Sequence, residues 1–169
     1  MRVERRGART HEGRQPGRGR ADGDAACDAG YRAGARGRAN IVVVLPHWGT
    51  KNRAQTPDTV HAMAERMAQA GADVILGAHP NVVQGVERIS TVRSDGLTYE
   101  TVVCYSLGCL LTDARDSENT AGMAVRLEMT YDPAVRRVWP GALEVTPLYI
   151  ARQREDSGIV YRVVNAQDE

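Results

Sequence analysis

Two short apolar runs, IVVVL at Ile41–Leu45 and DVIL at Asp73–Leu76, flank a stretch whose apolar residues recur every three or four positions. The first run is β-branched almost throughout, which predicts a strand covered on both faces. Val60, Met63, Ala64, Met67 and Ala70 line one face of a helix between the runs. Thr56 suits its N-cap, Pro57 its first turn, Asp58 its positive end and Gly71 its C-terminal cap. A strand–helix–strand unit of this kind is right-handed and joins parallel strands. Both strands then point their carboxyl ends to one edge, where open α/β sheets place their ligands.

Beyond residue 85 the period shortens to two. Val86–Ser90 and Leu97–Cys104 predict a hairpin turning at Ser94-Asp95-Gly96. Met123–Thr130, Val135–Trp139, Leu143–Tyr149 and Ile159–Val164 predict further strands, with Asp132-Pro133 as a turn and Ala114–Thr120 as a loop. The fold class is therefore α/β, a βαβ unit followed by antiparallel strands, over residues 39–165. Residues 1–38 are mostly Arg, Gly and Ala, a composition that buries too little surface to offset the cost of ordering. They read as a disordered or non-native leader, with Ala25–Arg38 as a weak helix into the first strand.

Charge sharpens this division. Residues 1–40 hold ten Arg against five acids, while the remainder carries 12 basic and 16 acidic residues, so a basic arm precedes a mildly acidic body. An Arg-rich arm can bind polyanions, but only Tyr31 interleaves with the arginines, which argues against nucleic acid. Cys27, Cys104 and Cys109 form no CxxC pair, so neither a zinc ribbon nor a disulfide framework is indicated. No window approaches the roughly 20 apolar residues of a membrane span, and no apolar run follows the basic N-terminus. As written, the chain reads as cytoplasmic.

The candidate chemistry lies just past the two apolar runs, at His47 and His79. Neighbouring strands lie about 4.8 Å apart, so adjacent parallel strands would bring the two histidines close enough to share a divalent metal ion. Imidazole suits Zn, Mn or Fe. A catalytic ion needs about three protein ligands and an open position, and Asn81 offers a weaker third through its amide oxygen. Asp113, Asp116 and Glu118 are acidic but fall in a loop that reads as solvated. Trp48 either walls the pocket or packs beneath it. His61, four residues before Glu65 on the helix, reads as a surface residue paired locally. No Ser-His-Asp order, phosphate-binding Gly loop or nucleophile elbow is present, and no catalytic residue can be named.

Three strings, VVVLPHWGT, QAGADVILGAHPNVVQGVE and VVCYSLGCLL, together resemble the C-terminal part of the CapA family over roughly Ala39–Leu148. These are poly-γ-glutamate capsule biosynthesis proteins related to the calcineurin-like metallophosphoesterases. The resemblance implies part of a metallophosphoesterase-like α/β sandwich. It also implies a metal-dependent phosphoesterase (hydrolase) type of function, and a polyanionic capsule polymer or a phosphoester as substrate. His47 falls on the metal-ligand histidine of the family's His-Trp-Gly motif, and His79 on the first histidine of its His-x-His pair. Asn81 stands where the second histidine of that pair would be, Ala78 where a further histidine is common, and Cys109 where asparagine usually follows Tyr-Ser-Leu-Gly.

The family's upstream Gly-Asp and Asn-Asn-His motifs have no counterpart in residues 1–40. A two-metal site needs a bridging group to hold its ions about 3.5–4 Å apart. The chain is thus expected to carry half a site, as an incomplete, weakly active or inactive CapA-like domain lacking its N-terminal half, with an open apolar edge beside Ile41–Leu45. Two alternatives stand beside it: a non-catalytic metal-binding or interaction remnant, and a polyanion-binding module acting through the basic arm. The missing motifs favour the remnant for this polypeptide. Members of the family usually work at the cell surface behind a signal or anchor.

Overall fold

In the computed structural model, which describes residues 39–113 and 117–168, the βαβ unit forms as the pattern requires. Strand β1 (Val43–Val44) pairs in parallel with β2 (Val74–Leu76), and helix α1 (Asp58–Ala70) crosses between them. β2 pairs in parallel with β4 (Thr98–Cys104), which pairs antiparallel with β3 (Val86–Val92), so the sheet order is β1-β2-β4-β3. A second sheet of β5 (Ala121–Asp132), β6 (Arg137–Glu155) and β7 (Gly158–Asn165) is antiparallel throughout. The expected mixed α/β class holds. The expected leader and the Ala25–Arg38 helix lie outside the described residues.

Helix α1 buries Val60, Ala64, Ala68 and Ala70, and ends at Gly71, whose φ of 115° only glycine adopts without strain. Its start is one residue later than the sequence suggests. Pro57 is the N-cap, its extended ψ of 148° ending the loop, and its carbonyl accepts from Val60 and His61. Thr56 makes no capping bond because it lies outside that turn. The small alanines let the helix sit close on the sheet, over a core of Trp48, Val60, Ala64, Ala72, Ile75, Val103 and Tyr105.

Two expectations about strands need correction. β1 is shorter than Ile41–Leu45 and is not covered on both faces. Val42 is buried beneath the helix side, but Ile41, Val43 and Leu45 are 39%, 51% and 74% exposed. The reason is topological: β1 is the edge of its sheet, so half of its apolar run faces a cleft. The separate strands at Val135–Trp139 and Leu143–Tyr149 are one strand, β6. Pro140 has no N–H to offer the ladder, and the register of β5 slips between Leu127 and Met129 opposite it, so the strand continues through a bulge.

The two sheets are joined at both ends. Met123 N–H donates to the Leu107 carbonyl (2.9 Å) and Cys109 N–H to that of Ala121 (3.2 Å). At the other end Arg88 reaches the Gly141 carbonyl and Arg137 that of Thr98. Between the joints the facing surfaces diverge. Ile41, Val43, Val74 and Leu76 on one sheet, and Val125 and Leu127 on the other, line an apolar cavity of about 480 Å³.

A buried carboxylate secures the start of the βαβ unit. Asp73 accepts from the N–H of Val42 at 2.8 Å, and Arg93 sits 3.6 Å from its other oxygen while donating to the Ala72 carbonyl. Removing one member of a buried pair strands its partner's charge in low dielectric. Asp73→Ala should therefore lower the unfolding free energy by about 3 kcal/mol, read by chemical denaturation.

Burial also pushes the Cys104 thiol up to about 11. The native state thus favours the protonated thiol. The stability from this preference is present below pH about 9, the ordinary thiol value, and is lost as pH rises towards 11. At pH 8, iodoacetamide should modify the half-buried Cys109 and spare Cys104 until denaturant unfolds the chain, as followed by mass spectrometry.

Candidate metal centre

Because β1 and β2 are parallel neighbours, their following loops leave the same sheet edge, and hydrogen bonds lace the loops together. Ala78 N–H donates to the Pro46 carbonyl (2.9 Å), Trp48 N–H to that of Ala78 (3.1 Å), and Asn52 N–H to that of Pro80 (2.7 Å). Gln84 is buried, and its side chain donates to the Arg53 carbonyl at 2.7 Å. The lacing brings the His47 and His79 rings to 4.6 Å between centroids, tilted by 56°. His47 is exposed and His79 half-buried, so the pair opens to solvent.

The loop after β2 is conformationally unusual. His79 has φ 103° and Asn81 φ 61°, with Pro80 between them. Left-handed conformations at residues other than glycine cost on the order of 1–3 kcal/mol each and persist only where their surroundings enforce them. Here the lacing bonds and the fixed ring of Pro80 do so. Asn81 is half-buried, and its main-chain carbonyl accepts from the Cys109 thiol at 3.3 Å.

Trp48 packs beneath the site and does not wall it. It is 6% exposed, its indole N–H donates to the Tyr105 carbonyl (2.9 Å), and its ring stacks on Tyr105 at 5.9 Å. That hydrogen bond passes over Gly77. A Cβ at Gly77 would lie 2.1 Å from the Tyr105 oxygen and 2.4 Å from the indole nitrogen. The glycine of the second motif is thus required by a contact between the first and the third.

His61 does not pair with Glu65 as the helical spacing suggests. Its Nδ1 lies 2.8 Å from the Tyr105 hydroxyl and 3.7 Å from Glu87 on β3, and the Tyr105 hydroxyl donates to Glu87. Burial first, then the bond to Glu87, hold the Tyr105 phenol well above its ordinary range. The i to i+4 spacing was misleading because both true partners lie far along the chain, Glu87 on β3 and Tyr105 just past β4. Tyr105 and Gln84 had no signal of their own beyond lying in or beside the motif strings.

The donor set bears on the metal that the resemblance implies. Two imidazoles and one amide-bearing loop converge, but among the described residues no group of three His, Cys, Asp or Glu side chains could hold an ion. Asp113 and Glu118 are exposed, and Asp116 lies outside the described residues. His47 and His79 therefore fit as two ligands of the three that a catalytic ion needs.

The fold and the site define a mixed α/β protein whose adjacent parallel strands each deliver a histidine to one edge. Comparison with known proteins assigns its family. A family model described as bacterial capsule synthesis protein PGA_cap matches residues 9–114, more than half of the chain, and the chain belongs to that family. The match includes all three motifs, begins earlier than Ala39 and ends short of Leu148. The chain is 31% identical over 116 residues to the PGA biosynthesis protein CapA of Bacillus subtilis (strain 168), covering 69% of this chain and 27% of that protein. It is 36% identical over 78 residues to the capsule biosynthesis protein CapA of Bacillus anthracis, covering 46% of this chain and 17% of that protein. It thus spans about a quarter or less of these relatives' length. No helix among the described residues is long and apolar enough to cross a membrane.

Gly77→Ala should cost about 3 kcal/mol of stability, seen as a lowered denaturation midpoint with Trp48 emission shifted to the red. A variant as stable as wild type would mean that the Trp48–Tyr105 contact yields without cost.

Proposed function

We propose that this chain contributes two ligands to a divalent metal site of the metallophosphoesterase type, in a protein serving the synthesis of a poly-γ-glutamate-like capsule polymer. One observation carries the reading: His47 and His79, from two separate family motifs, meet at the carboxyl edge of adjacent parallel strands with rings 4.6 Å apart. The relatives' names supply the polymer, and the strained φ of His79 is the kind of outlier that clusters at functional sites.

In this reading His47 and His79 lend imidazole nitrogens to Zn, Mn or Fe, and the Asn81 amide oxygen assists as a weaker donor. A bound ion would supply Lewis acidity towards a phosphoryl oxygen and activate water. Trp48, Gly77 and Gln84 hold the two loops in register, and the exposed side of His47 leaves a substrate room to approach. Further ligands have to come from outside the described residues.

A second reading, metal binding without turnover, is favoured by the two-ligand count among the described residues. One series of measurements separates the two readings. Metal content and calorimetric affinity for Zn²⁺ and Mn²⁺ are compared among wild type, His47→Ala and His79→Ala, and hydrolysis of p-nitrophenyl phosphate is assayed on the loaded protein. Stoichiometric metal that both substitutions reduce at least tenfold is the expected outcome. Hydrolysis lost in step with the metal would support the phosphoesterase type, and metal without hydrolysis the second reading. Binding indifferent to both substitutions would sink both.

A further inference from the structure

We propose that Tyr105 is the positioning residue of the histidine pair, held at its hydroxyl by His61 and Glu87 and holding Trp48 through its carbonyl and ring. Trp48 is the residue after His47, and its N–H bonds to the carbonyl of Ala78, the residue before His79. Whatever fixes Trp48 therefore fixes both loops at once. Tyr105 does so from below, accepting the indole N–H at 2.9 Å and stacking on the indole ring. The space over Gly77, which has no Cβ to fill it, is what admits this contact.

The far end of Tyr105 is clamped just as definitely. A phenol has one proton, and that of Tyr105 goes to Glu87. The 2.8 Å contact with His61 therefore places the donated proton on His61 Nδ1, so that the Tyr105 oxygen accepts. The His61 ring meets the Tyr105 ring edge-on at 4.5 Å, which limits tilting of the phenol. A helix residue (His61) and a β3 residue (Glu87) thus fix the angle of a ring at the end of β4. That ring in turn carries the tryptophan beneath the candidate site. Groups that act on ligands from behind in this manner tune metal affinity by about 10–100-fold, and one acting through Trp48 should fall at the lower end.

The histidine spacing can be read without metal, and the Zn²⁺ arm of the test rests on the function proposed above. The full chain and its Tyr105→Phe variant are compared by the ring resonances of His47 and His79, then by calorimetric affinity for Zn²⁺ alone. Expected are shifts of both histidine rings and about tenfold weaker Zn²⁺ binding. The unfolding midpoint should stay near wild type, because half-exposed Glu87 and His61 regain water. Glu87→Gln, which keeps the side chain's shape, should shift the same resonances and serves if Tyr105→Phe folds poorly. Ile89→Val, a change in the neighbouring core, should lower stability while leaving both rings and Zn²⁺ affinity unchanged.

Ring resonances unmoved in Tyr105→Phe and Glu87→Gln would overturn the proposal. So would moved resonances with wild-type Zn²⁺ affinity in protein whose His47→Ala variant has lost Zn²⁺. If His47→Ala binds Zn²⁺ as wild type does, the metal reading falls, and the metal-free resonances alone decide the positioning role.

Discussion

The candidate site depends on the parallel pairing of β1 with β2, in the register Val43↔Val74 and Val44↔Ile75. That pairing is only two residues long, too short to be secure on its own ladder bonds. It is held instead by what surrounds it: the Asp73 carboxylate on Val42 N–H before it, and the Ala78–Pro46 and Trp48–Ala78 bonds after it. Sliding β1 by one residue would exchange its buried and exposed faces, lifting Val42 and Val44 off the core. It would also carry His47 away from His79.

The three motif strings meet in space for reasons of packing as well as chemistry. Trp48, Gly77 and Tyr105 come one from each, and a hydrogen bond joins the first to the third across the second. A hydrogen bond buried in this way is strengthened by its low-dielectric surroundings and costly to leave unmade. The strain at His79 comes one residue after Ala78, whose carbonyl accepts from the Trp48 N–H. A loop of ordinary flexibility would relax such a φ, whereas one tied by Pro80, Asn52 and Trp48 does not.

The same architecture leaves an apolar surface on the other side of the sheet. The first sheet turns Val42, Val44, Ile75 and Val103 towards helix α1, and turns Ile41, Val43, Val74 and Leu76 towards the second sheet. The two sheets are stitched at their ends and diverge between, so the apolar run of β1 lies on a sheet edge with its outward residues exposed. Natural edge strands are usually guarded by charge, by proline or by a covering element. Among the described residues, Pro46, immediately after the run, is such a guard.

The sequence by itself determined the βαβ unit, its helix face, the Gly71 cap, the β3–β4 hairpin and the delivery of two histidines to one edge. These depend on local period, on cap chemistry and on the fixed handedness of crossovers. Family membership was also legible, because the three strings keep their order and spacing. The tertiary structure alone decided three further matters. Pro140 could be carried inside a single strand because β6 takes one extra residue at Gly141-Ala142, opposite Glu128, and only the pairing with β5 shows that Pro-Gly here makes a bulge and not a turn. Val43 is exposed because β1 is an edge, a matter of what lies beside it. His61 joins Tyr105 and Glu87 because chain folding brings these side chains, one just past β4 and one on β3, to the helix from far along the chain. Interactions between residues close in sequence follow from composition and period, whereas those made across sheets and loops depend on where the chain returns.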